Sequence, residues 1–208
     1  MSSLTTLLTS PQQSAIEAAQ QKSYVTYSLP STSSELLFNT VTSFESRGLL
    51  ASSGTTGFRT WEAALHLATY LSSEEGRSVV KNKNVLELGA GTGVVSCLCA
   101  KHLRARHVLA TDGDVSVVED IKTNIFLNGL ADTGRMEASV FKWGHALLDG
   151  TLSFRDETVQ FNVVIGADIV CFRMLRSLSD LTNSNILDLR CSINTLARVY
   201  TSRPVCKV

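Results

Sequence analysis

The run Val85-Leu86-Glu87-Leu88-Gly89-Ala90-Gly91-Thr92-Gly93 constrains this chain more than any other part of its sequence. Residues with strand character lead into glycines at alternate positions, and an apolar helical pattern begins at once. Glycine makes so tight a turn readily, because it lacks the Cβ that disfavours positive φ. The backbone can therefore come close to a ligand, with N–H groups at the helix start facing it. An acidic residue, Asp112, ends the next strand pattern, about where a ribose diol would need an acceptor.

Around this motif strand and helix patterns alternate. Val85 to Leu88 reads as a strand, and Thr92 to Leu103 as a helix apolar nearly all round, hence buried. His107 to Thr111 is the next strand. A helix over Val115 to Leu127 follows, with Asp114 as its N-cap, Val118, Ile121 and Ile125 inward, and Asn128-Gly129 as its stop. Met136 to Phe141 and Asn162 to Ala167 give two more strands. This order implies a parallel, doubly wound α/β sheet. Upstream, Tyr24 to Tyr27 and Leu36 to Thr42 read as two short strands, an N-terminal β arm. A helix begins at Thr60 as N-cap, with Trp61, Ala64, Leu65 and Ala68 on one face, and Ser72 to Asn84 is a polar connection. Residues 1–23 form a tail, 24–172 the domain, and 173–208 a basic tail with six Lys/Arg against two Asp and no glycine.

Composition excludes several classes. Lys plus Arg and Asp plus Glu are 19 each, so no cationic excess exists to displace counterions from nucleic acid. The longest uncharged apolar run, Leu88 to Ala100, is thirteen residues and holds three glycines, whereas a membrane span needs about 20. Residues 1–16 lack the charge and apolar core of a targeting signal. The expectation is a soluble cytoplasmic protein with reduced thiols. No Cys/His spacing fits a metal site. Cys97 and Cys99 project roughly 200° apart on a helix, which suits neither a disulfide nor a shared ion.

Two cofactor classes use a glycine turn of this kind, dinucleotides and S-adenosylmethionine. The dinucleotide fingerprint wants Gly or Ala where Val94 stands, and Glu87 is ill placed beside a pyrophosphate. Glu87 would be better placed beside the cationic amino group of a methionine moiety. These residues favour S-adenosylmethionine. A nicotinamide-dependent reductase also lacks a Tyr-x-x-x-Lys pair here.

A longer pattern narrows this further. Ser53-Gly54-Thr55-Thr56-Gly57-Phe58-Arg59-Thr60-Trp61-Glu62-Ala63-Ala64-Leu65, followed by the glycine motif, resembles the eukaryotic elongation factor 2 lysine methyltransferases, which are seven-β-strand protein-lysine methyltransferases. The likeness runs from Tyr24 through Asp168 and includes Asn124, Asn128-Gly129 and Lys142-Trp143. It implies a Rossmann-like class I sheet, S-adenosyl-L-methionine as cofactor and a protein substrate, elongation factor 2. It implies that Trp61 flanks the cofactor and that Gly89, Ala90 and Gly91 line the methionine moiety. Asp112 would hold the ribose, Trp143 would pack by the adenine, and Ala167 would close the pocket. Asp168 would be the catalytic residue beside the incoming lysine.

The sequence departs from that pattern in three places. Little precedes Tyr24. Cys171 stands at an aromatic position. Beyond Val170 the likeness stops, so strands 1–4 are expected without strand 5 or the closing hairpin. In the expected order 3-2-1-4-5-7-6, strand 4 would be a bare edge and the sheet incomplete. The alternative reading is therefore a truncated, catalytically impaired binding module.

Overall fold

The computed structural model describes residues 21–32, 37–46, 56–142 and 161–168, together with the backbone of two further strands, Asn185–Arg190 and Leu196–Thr201. Trp143, Cys171 and the segment Ser53 to Thr55 lie outside the described residues.

Two sheets form. Strands β1 (Lys22–Pro30) and β2 (Phe38–Ser46) make an antiparallel hairpin, longer than the sequence pattern predicts. The main sheet holds β3 (Asn84–Leu88), β4 (His107–Asp112), β5 (Met136–Val140), β6 (Val163–Ala167), β7 (Asn185–Arg190) and β8 (Leu196–Thr201). Its order is β5-β4-β3-β6-β8-β7. The first four are mutually parallel, in the predicted 3-2-1-4 order.

The edge expected to be bare is covered. Strand β8 pairs antiparallel with β6, from Val163↔Thr201 to Ala167↔Ala197, and β7 pairs antiparallel with β8. The tail expected to lie outside the fold thus supplies a hairpin. It satisfies the N–H and C=O groups that β6 would otherwise present as an open edge.

The core lies between this sheet and helices α1 (Glu62–Ser72), α2 (Glu74–Val80), α3 (Val94–Lys101) and α4 (Val115–Leu127). Every residue of α3 from Val94 to Ala100 is buried, as its all-round apolar pattern requires. Helix α4 begins at Asp114, whose carboxylate accepts the N–H groups of Ser116 (2.8 Å) and Val117 (3.3 Å). It ends before Gly129, at φ +69°.

Two expectations about helices fail for identifiable reasons. Thr60 does not cap α1, because its hydroxyl is bonded to Glu45 and Thr92. Trp61 takes the cap position with extended backbone, and the buried stripe becomes Ala63, Leu67, Ala68 and Leu71. The stretch expected to be a polar connection contains α2, capped by Ser73 Oγ accepting the Gly76 N–H at 3.1 Å, with Glu74 and Glu75 in its first turn. Gly76 is required there: a Cβ would stand 2.1 Å from the Tyr70 carbonyl oxygen.

Candidate active site

The chain passes from β3 to β4 and β5 on one side, then returns to β6 on the other. Parallel sheets bind ligands at such a switch point, in the crevice beyond the strands' C-terminal ends. A cavity of about 460 Å³ opens there, within the usual range for small-molecule sites. Gly89 and Gly91 line it after β3, and Asp112, Gly113 and Asp114 line it at the end of β4. Lys142 follows β5, while Ala167 and Asp168 end β6. Thr56, Gly57 and Trp61 complete the wall from the loop before α1.

The glycine turn is built as its sequence requires. Gly89, Gly91 and Gly93 have φ of +62°, +54° and +73°, values that penalise any residue with a Cβ. Gly91 also meets another backbone, because a Cβ on it would lie 3.3 Å from the Gly57 carbonyl oxygen. A Cβ on Gly57 would in turn meet the Val117 side chain at 2.9 Å. The two glycines thus let the Gly57 segment close against both the turn and α4.

Asp112 joins the loops after β3 and β4. One carboxylate oxygen accepts the Gly91 N–H at 3.0 Å, and the other accepts the Asp114 N–H at 3.2 Å. Each oxygen retains capacity for another donor, such as a diol hydroxyl. Trp61 is half-buried. Its Nε1–H donates to the Thr56 carbonyl at 2.9 Å, and the Arg59 guanidinium lies 5.1 Å from its ring centroid. Asp168 is exposed at the cavity with φ +59°.

Two predicted site residues stand elsewhere. Glu87 does not line the cavity. It is 2% exposed, and its carboxylate accepts both the backbone N–H of Ser96 (3.0 Å) and the Ser96 hydroxyl. Burial pushes its pKa up to about 7, the Ser96 bonds pull against that rise, and the Asp112 charge adds to it. Ala90 is also buried, and its N–H donates to the Thr111 carbonyl at 2.9 Å. Sequence reasoning does not assign Thr56, Gly57, Gly113, Asp114 or Lys142 to the site. Their positions just past strand ends, or in the loop carrying the glycine-rich run, are the signal that could find them.

Among the described residues, the charged groups lining the cavity are three aspartates, Asp112, Asp114 and Asp168, and one lysine, Lys142, a net charge of −2. Such a balance suits a cationic ligand and opposes a pyrophosphate. Among the described residues no group of three or more His, Cys, Asp or Glu could hold a metal ion, and no helix is long and apolar enough to cross a membrane.

Comparison with known proteins agrees with this geometry. The profile of a family described as "Lysine methyltransferase" matches residues 50–200, so the family pattern continues past Val170. A protein-lysine N-methyltransferase of Chaetomium thermophilum, EFM3, is 47% identical over 169 residues, 81% of this chain and 50% of that protein. The human protein-lysine N-methyltransferase EEF2KMT is 34% identical over 66% of this chain and 42% of its own length. The chain thus spans about half the length of the curated relatives it matches. The Thermus thermophilus 16S rRNA N2 G1207 methyltransferase, solved with AdoMet and guanosine, superimposes with a TM-score of 0.50 at 16% identity. That match covers 86% of this chain and 51% of the other, and it supports the fold alone.

Proposed function

This chain belongs to the lysine methyltransferase family, and from that premise we propose that it carries the S-adenosylmethionine site of a protein-lysine N-methyltransferase. Elongation factor 2 is the substrate that the sequence resemblance favours. The observation that carries this reading is the cavity at the sheet's switch point, lined by glycine backbone and Asp112, with a net charge of −2 among the described residues.

The bound cofactor would supply a methyl group on an already activated sulfonium. The chain's own residues bind and orient. Gly89 and Gly91 bring backbone against the methionine moiety, and Asp112 offers its remaining lone pairs to the ribose hydroxyls. Trp61 supplies an aromatic wall, and Ala167 closes the floor. Trp143 would pack by the adenine. The target amine must lose a proton to expose its lone pair, which costs about 4.6 kcal/mol at pH 7 for an ordinary lysine. Asp168, at the cavity and the end of β6, accepts an amine hydrogen and aims the lone pair at the methyl group. The negative balance draws in the ammonium form of the substrate lysine, and the released proton passes to solvent.

Calorimetric titration with S-adenosylhomocysteine, with NADH as control, tests the cofactor assignment. Binding of the first alone supports it, and binding of neither by a folded chain overturns it. A methylation assay on elongation factor 2 then separates an enzyme from a binding module. Asp168→Asn should lose methyl transfer while keeping cofactor affinity; full retained activity would exclude the role given to Asp168.

A further inference from the structure

We infer that Glu45 is a positioning residue for this cavity: a buried carboxylate on the N-terminal hairpin that holds, through Thr60 and Thr92, both the Trp61 wall and the glycine turn. This deepens the methyl-donor reading above and rests on it only for an affinity readout.

Glu45 lies near the end of β2 and is 2% exposed. One of its oxygens accepts the Tyr27 hydroxyl at 2.6 Å. The other accepts the Thr60 N–H at 3.2 Å and the Thr60 hydroxyl at 2.5 Å. Thr60 has one hydroxyl proton, and it points at a group that only accepts. The Thr92 hydroxyl, 2.6 Å from Thr60 Oγ1, must therefore be the donor of that pair. The chain of bonds runs one way, from Thr92 to Thr60 to Glu45. All three residues are buried, so water does not compete for these bonds.

Both threonines of this chain of bonds adjoin residues that line the site. Thr92 stands between Gly91 and Gly93, and its carbonyl accepts Asn124 Nδ2 at 2.9 Å. The same Asn124 side chain accepts the Phe44 N–H at 2.8 Å and donates to Ser43 Oγ at 3.2 Å. Three consecutive β2 residues thus brace the glycine turn from two directions. Thr60 immediately precedes Trp61, and the Ser46 N–H donates to the Phe58 carbonyl at 2.9 Å, fixing the segment that carries both. Among the described residues the hairpin itself lines none of the cavity, so its effect on the site is indirect.

Glu45→Ala, Glu45→Gln and Thr92→Val test this with two readouts. One is calorimetric affinity for S-adenosylhomocysteine. The other is amide hydrogen exchange across residues 89–96, with residues 136–140 as a remote reference. Losing these bonds should weaken binding about tenfold and speed exchange across 89–96 about tenfold in Glu45→Ala and Thr92→Val, with 136–140 unchanged. Glutamine can accept both Thr60 donors and donate to a turned Tyr27 hydroxyl, so Glu45→Gln should stay within about threefold of the parent. The double variant Glu45→Ala/Thr92→Val should be no worse than Glu45→Ala, because the two act through one chain of bonds. A folded Glu45→Ala protein with parental exchange across 89–96, or fully additive losses in the double variant, would overturn the inference. If Glu45→Ala does not fold, Thr60→Val and Thr92→Val carry the same expectations, and parental exchange across 89–96 in either overturns it equally. If the parent binds no S-adenosylhomocysteine but exchange follows the pattern, the cofactor reading falls and the positioning role stands.

Discussion

Glu87 and Asp112 stand at or next to the ends of neighbouring parallel strands, yet burial gives them different tasks. Glu87 projects toward α3 and fastens its first turn through Ser96, whereas Asp112 projects into the crevice and ties two loops together. Because the folded chain holds a proton on Glu87 that the unfolded chain releases, its stabilising contribution is complete below the ordinary value of 4.5 and is lost as pH rises through about 7. That difference is worth about 3 kcal/mol. Urea unfolding across this range should show the parent losing stability relative to Glu87→Gln as pH rises, and parallel curves would refute the assignment. Asp112→Ala should weaken S-adenosylhomocysteine binding tenfold or more, at about 1.5–3 kcal/mol for each lost bond to a charged group. Retained affinity by calorimetry would remove Asp112 from the site. Of the assigned residues, Trp61, Gly89, Gly91, Asp112, Ala167 and Asp168 line the cavity. Glu87 and Ala90 do not, because side-chain direction depends on the phase of the strand pleat and the exact turn, which one residue's identity cannot reveal.

Between the elements, the N-terminal hairpin is attached by side chains rather than by sheet pairing. Asn124 in the last turn of α4 and Asn128 at its C-cap, four residues on, both bond β2. Asn128 accepts the Thr42 N–H at 3.0 Å and donates to the Thr42 carbonyl at 2.7 Å, and Asn124 takes the Phe44 N–H. The two amides imitate an adjoining strand. Lys22 adds an ion pair with Asp120 at 2.5 Å, its ammonium lying 5.2 Å from the Phe58 ring centroid. Asn124→Ala takes the partner from a part-buried Phe44 N–H and a buried Thr92 carbonyl, so it should cost about 2–3 kcal/mol. The loss should appear in chemical denaturation and as faster exchange across β1 and β2; a change below about 0.5 kcal/mol would show that the hairpin does not depend on this clamp. The purpose of Asn124 and Asn128 is hidden in the sequence, since asparagine within a helix reads as a weak former until its partner strand is known. The start of α1 is obscured for a related reason: Thr60 has the residue type of a cap, but Glu45, fifteen positions upstream, takes its hydroxyl.

At the scale of the whole molecule, the parallel half of the sheet is legible because its first two strands end in a glycine or acidic turn and the connections after them carry a helical period. The far edge is not. A bare edge beside the fourth strand is the expectation there, whereas residues 185–201 form two six-residue strands joined by five residues. That spacing is a hairpin signal, and a hairpin needs neither glycine nor a helix if its loop is long enough. The pairing matters to the site because β6 delivers Ala167 and Asp168 to the cavity, and β8 runs along it from Val163 to Ala167. Val199 is paired on both sides, with Ile165 and with Leu187. A proline there removes a backbone donor from a central strand, so Val199→Pro should destabilise the chain by about 3 kcal/mol. Freeing the edge of β6, with the apolar run Val163-Val164-Ile165, should also yield larger species on size-exclusion chromatography. A Val199→Pro chain that eluted and unfolded like the parent would mean that β8 does not guard β6. One that aggregated while the parent did not would show that the hairpin of β7 and β8 protects the edge of the strand that delivers Ala167 and Asp168.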